Sequence, residues 1–364
     1  MCVPENLMQS VKNLRSLSFI RKNLWLLSMW SNLENALLRK HIHEPIKTPI
    51  FVCGLARSGT RILTQILNEH IDTGSILYKD LPFIEIPYLW SKCSGLYYGK
   101  DISQTRLHKD GLHISQSSPD AFEELVWKKH IHRYKDGGFC KLISAADDLL
   151  GITQELPVVI NKILYTRGKK SRYLSKGNYN IFRIEYLLNL FPDAKIIICV
   201  RDPFQQAMSL ARVHKHFVDL SKKYPFLPSQ LAELGHLEFG PQRKPIILPN
   251  GKSDETMDHW SKQEDYEGYL LQWKDVYSTV NRQFASNPNI FWFRQEDFLE
   301  NPSEYLRNVL KWAGLSEEGI DMQSIDSRVQ INNKYQTPST VYDDEILSFY
   351  SSHMKNETIP VSDS

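Results

Sequence analysis

One short segment constrains the fold more than any other. Pro49-Ile50-Phe51-Val52-Cys53 is an apolar run closed by Gly54, and Thr60 to Asn68 then place Ile62, Leu63, Ile66 and Leu67 on one helical face. A short apolar run that ends at glycine predicts a buried strand, and apolar positions at helical spacing predict a helix. The unit is therefore strand, glycine-bounded loop, helix. It recurs in the middle of the chain. Tyr173-Leu174-Ser175 predicts a strand, and Ile181, Ile184, Leu187, Leu188 and Phe191 mark a helix. After a turn at Phe191-Pro192-Asp193-Ala194, the run Lys195-Ile196-Ile197-Ile198-Cys199-Val200 predicts a second buried strand. A further helix is expected to start near Pro203, since proline suits a first helical turn. Alternation of this kind predicts an α/β fold: a P-loop-containing, doubly wound parallel sheet flanked by helices.

The pattern continues with an i, i+3/i+4 stripe (Tyr266, Tyr269, Leu270, Trp273, Val276, Tyr277, Val280, Phe284), a strand at Ile290-Phe291-Trp292-Phe293 and a helix from Pro302 to Trp312. The stripe reads as core. A length of 364 residues would accommodate two domains, but unbroken alternation favours one. The expected division is an N-terminal helical extension over 1–48, one domain over 49–345, and a tail over 346–364. The extension carries Leu7, Val11, Leu14, Leu17, Leu24 and Leu27 at helical spacing. Within the domain, 217–258 reads as a loop-rich insertion, with several prolines and Pro249-Asn250-Gly251.

Composition narrows the function. With 41% hydrophobic and 24% charged residues the chain is neither disordered, collagen-like nor membrane-embedded. A formal net charge of +2 argues against nucleic acid as a partner held by bulk charge, so any anion site is local. Five cysteines (Cys2, Cys53, Cys93, Cys140, Cys199) without a C-x-x-C spacing read as reduced thiols of a cytoplasmic protein rather than a disulfide framework. The apolar stretch Leu24 to Trp30 falls far short of the ~20 residues that span a bilayer. It follows Arg21-Lys22, so the reading is a helix packed on its own domain, with at most peripheral membrane contact through residues 17–30.

The loop Gly54-Leu55-Ala56-Arg57-Ser58-Gly59-Thr60-Arg61 has the G-x4-G frame of a nucleotide-binding loop. A magnesium-nucleotide site would place Lys at 60 and Ser or Thr at 61. Here those positions hold Thr60 and Arg61, and a cation lies inside the loop at Arg57. Without the hydroxyl at 61 the Mg²⁺ ligand is lost. What remains is a set of backbone N–H groups at a helix N-terminus, the Ser58 and Thr60 hydroxyls and two guanidiniums, which suits a phosphate held without metal. Taken alone, the loop also reads as a surface turn that happens to contain glycines.

This loop resembles the 5′-phosphosulfate-binding loop of the sulfotransferases that use 3′-phosphoadenosine-5′-phosphosulfate (PAPS), in the Pro-Arg-Ser-Gly-Thr-Thr form of tyrosylprotein and many bacterial sulfotransferases. Ala56 stands in place of the proline, and Arg61 in place of the second threonine. Arg61 either takes over that phosphate contact or points to solvent. A second mark is independent. Arg201 follows the strand Lys195–Val200 and Ser209 comes eight positions later, as in the family's 3′-phosphate site. An arginine there leaves the C-terminal edge of the sheet, where open α/β sheets bind ligands. Alone, Arg201-Asp202-Pro203 reads only as a helix start.

The resemblance spans residues 49–345 apart from the insertion 217–258 and implies transfer of a sulfuryl group from PAPS to a hydroxyl, leaving 3′-phosphoadenosine-5′-phosphate and requiring no metal. It implies nucleotide contacts from Gly54, Arg57, Ser58, Gly59, Thr60, Arg61, Arg201 and Ser209. Lys334, in Asn333-Lys334-Tyr335, falls where a C-terminal segment closes over the nucleotide. Arg57 and Lys176 are the candidate cations at the leaving oxygen, Lys176 reading otherwise as a solvated loop charge. Asp80 or Glu85 is the candidate general base, each equally readable as a solvated charge. Glu296 and Asp297 are expected to cap the following helix.

The acceptor is expected to be a small molecule or glycan, most plainly a carbohydrate or glycolipid hydroxyl. The aromatic stretch Tyr88 to Tyr98, with Trp90, Tyr97 and Tyr98, either lines its pocket or belongs to the core. The rival functions are an ATP-dependent kinase with Asp202 as a displaced acid, and a non-catalytic nucleotide or glycan binder. Three His-x-His pairs, His41/His43, His130/His132 and His214/His216, have metal-ligand spacing, but they fall in helical or loop contexts without a third ligand.

Overall fold

The computed structural model describes residues 24–98, 104–105, 113–131, 142–233, 235–329 and 335–353. Five strands form one parallel sheet: β1 (Ile50–Cys53), β2 (Thr73–Gly74), β3 (Arg172–Lys176), β4 (Lys195–Val200) and β5 (Ile290–Arg294), in the order β2-β3-β1-β4-β5. β1 is central, with β3 on one side and β4 on the other. Val52 lies opposite both Lys176 and Ile197, and Cys53 opposite Ile198. That register brings the C-terminal ends of β3, β1 and β4 to one edge.

Strand side chains alternate between faces, and both faces are apolar. Ile50, Val52, Leu174, Ile197, Cys199, Phe291 and Phe293 build one core, while Phe51, Cys53, Tyr173, Ile196, Ile198 and Val200 build the other. Burial on both sides explains why these strands read as continuous apolar runs rather than alternating ones. Burial also pushes the free thiols of Cys53 and Cys199 far up in pKa.

The covering helices, in chain order, are α1 (Leu24–Leu37), α2 (Thr60–Leu67), α3 (Pro87–Tyr98), α4 (Glu124–His130), α5 (Leu150–Thr166), α6 (Ile184–Leu190), α7 (Pro203–Lys223), α8 (Leu227–Glu233), α9 (Ser253–Ser261), α10 (Asp265–Phe284), α11 (Gln295–Glu300), α12 (Pro302–Ala313), α13 (Ile325–Arg328) and α14 (Asp343–His353). α2 and α12 pack on the first face, and α5, α7 and α10 on the second. α7 begins at Pro203, and the Asp202 carboxylate accepts the Gln205 N–H at 2.9 Å, capping the helix. Most of the aromatic stripe is buried along α10 as expected. Among the described residues no helix is long and apolar enough to cross a membrane.

Two boundaries differ from the expectation. The segment 217–258 is not loop-rich throughout, because α7 runs on to Lys223 and α8 and α9 follow. Val213, Phe217 and Leu220 continue the α7 packing face, and Pro228 lies in the first turn of α8, where a missing N–H costs nothing. The chain also does not become a tail at 346. α14 crosses that point, with Ile346 and Tyr350 buried and the Tyr350 hydroxyl donating to Glu296 at 2.6 Å.

Candidate functional site

Glycine is required where β1 turns into the loop. A Cβ on Gly54 would stand 2.4 Å from the Cys199 carbonyl and 2.8 Å from Ser58 Oγ, with φ at +138°. Downstream, Arg57 (φ +74°) and Gly59 (φ +94°) both occupy the left-handed region. Such residues set among ordinary ones turn successive N–H groups inward, which makes an anion-binding concavity. The positive end of α2 starts at its mouth, with Gly59 as the residue before the first turn. The Ser58 hydroxyl is fully buried there beside the Tyr277 hydroxyl and makes no hydrogen bond of ordinary geometry. An anion in the loop would supply one, so the residues present fit a bound phosphate.

The back of the loop is clamped. The Gln206 amide donates to the carbonyls of Leu55 and Ala56 at 3.3 and 2.9 Å. The Tyr277 hydroxyl accepts the Leu55 N–H at 3.2 Å and donates to the Cys199 carbonyl at 2.8 Å. Thr60 Oγ1 donates to Asn178 Oδ1 at 3.3 Å. Neither Gln206 nor Tyr277 is visible as a site residue in the sequence.

The two arginines meet. Arg201 Nη1 lies 3.5 Å from the Arg57 carbonyl, and Arg57 Nε donates to Ser209 Oγ at 3.0 Å. The spacing in the sequence pairs Ser209 with Arg201, whereas in the structure it bonds Arg57. Burial, with the Arg57 charge beside it, holds the Arg201 pKa below its ordinary value against the opposing pull of Glu296. Two guanidiniums gathered at the C-terminal edge of a sheet form a site for an anion. Lys334 lies outside the described residues. Its neighbour Tyr335 exchanges hydrogen bonds with the Gln205 amide at 2.7 and 3.0 Å, and Arg212 stacks 4.9 Å from its ring. A C-terminal strand of chain therefore passes over the first turn of α7, next to Arg201.

A second cluster sits at the end of β3. Lys176 Nζ lies 2.9 Å from Asp120 Oδ1, Arg61 pairs with Oδ2, and the Tyr78 hydroxyl donates to Oδ2 at 2.8 Å. Arg61 is thus turned to a carboxylate rather than to solvent. Being buried, it takes the carboxylate within reach. Asp120 is the residue that sequence reasoning missed. It is a lone aspartate in a turn, 59 positions from Arg61 and 56 from Lys176.

The two carboxylates proposed as base are engaged elsewhere. Asp80, also buried, pairs with Arg167 and accepts the Leu77 N–H at 2.7 Å. Glu85 pairs with Lys129 at 2.7 Å, and Lys129 also meets Glu155 at 2.8 Å. Neither is a solvated loop charge. Both neutralise a cation that the fold has partly or wholly buried. Of the aromatic stretch, Trp90 donates its indole N–H to the carbonyls of Lys79 and Leu81 at 2.9 and 3.0 Å, and Tyr88 packs edge-on against Tyr165. The side chains of Tyr97 and Tyr98 lie outside the described ones. The histidines of the three pairs are likewise engaged: His41 with Glu44, His130 with Glu155, and His214 with the Gly240 N–H. His43 and His216 do not join them at a common centre, and His132 lies outside the described residues.

Residues 49–225 match the model of the sulfotransferase family. Among solved structures the chain is similar to sulfotransferase STF1 of Mycobacterium tuberculosis H37Rv, at 14% identity over 89% of this chain and 87% of that one, with a TM-score of 0.47. It is also similar to sulfotransferase STF9 of Mycobacterium avium, at 15% identity over 87% and 79%, with a TM-score of 0.48. A sulfotransferase from Alicyclobacillus acidocaldarius is similar at 12% identity over 84% and 92%, with a TM-score of 0.40. No curated protein matches the sequence.

Proposed function

With residues 49–225 belonging to the sulfotransferase family, we propose that this chain moves the sulfuryl group of PAPS to an acceptor hydroxyl, that of a carbohydrate or glycolipid. The observation that carries the reading is the junction of Arg57, Ser209 and Arg201 on a loop that has Thr60 and Arg61 in place of the lysine and hydroxyl of a magnesium-nucleotide site. A bisphosphorylated adenosine offers two anionic groups to two guanidiniums. The same loop would give a γ-phosphate no metal-holding hydroxyl.

The chemistry assigns a role to each group. The loop N–H groups and Ser58 hold the 5′-phosphate, and Arg201 with Ser209 holds the 3′-phosphate. As the acceptor oxygen bonds to sulfur, the bond from sulfur to the phosphate oxygen breaks, and the electron pair leaves with that oxygen. Arg57 and Lys176 offset the charge that builds there. Lys176 is paired with Asp120 in this structure. Its turn toward the sulfonate opens a position on Asp120 Oδ1, which keeps the Ala121 N–H at 2.9 Å and takes the acceptor proton. Asp120 replaces Asp80 and Glu85 in that role because it alone of the three contacts Lys176.

The test is a competition. In EDTA the chain is expected to bind 3′-phosphoadenosine-5′-phosphate, and labelled PAPS is expected to donate its sulfate to a hydroxyl acceptor in a glycan and lipid screen. Mg²⁺-dependent ATP binding that the bisphosphate cannot displace would identify a kinase instead. Tight nucleotide binding with no transfer to any acceptor would reduce the chain to a binder.

A further inference from the structure

α1 is attached to the body the wrong way round for a water-facing helix. Its inner side is held largely by polar groups: the buried Glu34 carboxylate lies 3.7 Å from Lys162 Nζ and accepts the Leu89 N–H at 2.7 Å, and Lys162 also reaches Ser31 Oγ at 3.2 Å. Among the described side chains of the helix only Leu27 adds a buried apolar contact, with Leu38 just beyond its end. The outer side carries Trp25, Leu26, Met29, Trp30, Leu33 and Leu37, with Trp25 66% exposed, Leu37 59% and Trp30 47%. These positions repeat at i, i+4 and i+7 to i+8, so they form one stripe. A surface helix normally buries that stripe against its own core. A contiguous exposed apolar patch marks a surface that something covers.

Charge says what covers it. Arg21 and Lys22 precede the helix in the sequence, and the exposed Arg39 and Lys40 follow it. Over residues 12–40 there are six cations (Lys12, Arg15, Arg21, Lys22, Arg39, Lys40) and one acid, Glu34, which faces inward against Lys162. The whole chain nets only +2, so positive charge is concentrated in the sequence on either side of α1. Tryptophans on an apolar face with cations at both ends match the chemistry of a lipid headgroup boundary. The helix has 14 residues, about 21 Å of length, which is too short to span and suited to lying in the plane.

We propose that α1 docks this chain on an anionic membrane surface, its Trp25/Met29/Trp30/Leu33 stripe in the headgroup boundary and Arg39 and Lys40 on lipid phosphates. This stands independently of the sulfate-transfer reading. It places the acceptor of any reaction this chain performs among molecules held at a membrane.

The test uses the full chain with sedimenting vesicles of pure phosphatidylcholine and of phosphatidylcholine with phosphatidylglycerol. Binding to the anionic vesicles with a blue shift of tryptophan emission is expected, and little binding to the neutral ones. Trp25→Ser/Trp30→Ser is expected to lose tenfold or more of that affinity (~10-fold, from lost apolar burial). Arg39→Gln/Lys40→Gln is expected to lose about 30-fold. Both pairs are exposed, and retained thermal unfolding and nucleotide binding confirm that the variants fold. No binding to anionic vesicles overturns the proposal. So does equal binding by Trp25→Ser/Trp30→Ser, which assigns contact to another segment. A dimer that this variant dissociates, in analytical centrifugation without lipid, overturns it in favour of a second copy as the occupant.

Discussion

Asp120→Asn removes a carboxylate that pairs with both Arg61 and Lys176. The side chains are nearly dry: 10% exposed for Asp120 and 8% for each cation. The amide keeps the shape and one acceptor oxygen but leaves two buried cations facing each other. Removing one member of a buried pair costs about 3–5 kcal/mol, and the retained acceptor favours the lower figure. At about 2.1 cal/mol/K of unfolding entropy per residue, a chain of 364 residues has roughly 0.76 kcal/mol/K. A loss of about 3 kcal/mol therefore lowers Tm by about 4 °C. With that carboxylate gone, the added positive potential favours an anion, so sodium sulfate restores Tm more in the variant than in the parent chain. Scanning fluorimetry in sulfate and in chloride at matched ionic strength reads both effects. Transfer activity, with Asp120 taking the acceptor proton, falls by ~10²–10⁴. A variant that melts within about 1 °C of the parent in chloride and gains nothing from sulfate would refute the reasoning.

Two further outcomes follow from the structure. Arg57→Gly relieves a left-handed backbone at φ +74°, so stability holds or rises by up to ~1 kcal/mol. The bisphosphate affinity falls ~10–150-fold for the lost charged contact; thermal unfolding and calorimetry separate the two effects. The pH dependence is set in part by His214, whose pKa is lowered from its ordinary 6.5 to about 4 by burial and by Arg243, with Asp265 opposing. Between those values the unfolded chain binds a proton that the folded one refuses. Stability present above pH 6.5 is therefore lost as the pH falls toward 4, by up to ~3 kcal/mol. His214→Gln lacks this contribution, and Tm measured against pH should fall less steeply in that variant.

Much of the scaffold was readable from the residues because its strands are buried on both faces. β1 and β4 are apolar runs bounded by turn residues, and no competing pattern reads them as helix. Arg57 and Arg201 were readable for a related reason: Arg201 directly follows β4 and Arg57 lies four residues past the end of β1, so both come to one edge. The Arg61–Asp120–Lys176 cluster was not, since side-chain pairs across 56 or more positions leave no periodic trace. Tyr277 shows a different limit. It belongs to the α10 packing stripe, and nothing in that spacing reveals that its hydroxyl ties Leu55 to Cys199. Asp80 and Glu85 read equally as solvated charges for want of their partners: Arg167, which pairs with Asp80, lies 87 positions away. In 217–258 the prolines weighed too heavily, because Pro228 begins a helix rather than preventing one.

The central claim is that Arg57 and Arg201 together hold a nucleotide phosphorylated at both ends. Calorimetry of 3′-phosphoadenosine-5′-phosphate, 5′-AMP and 3′-AMP in EDTA, on the parent chain and on Arg57→Ala and Arg201→Ala, measures it directly. The parent should prefer the bisphosphate to either monophosphate by about 100-fold, and each alanine should remove about 10–150-fold of bisphosphate affinity. Equal affinity for the three nucleotides, or a bisphosphate affinity untouched in both variants, contradicts the account.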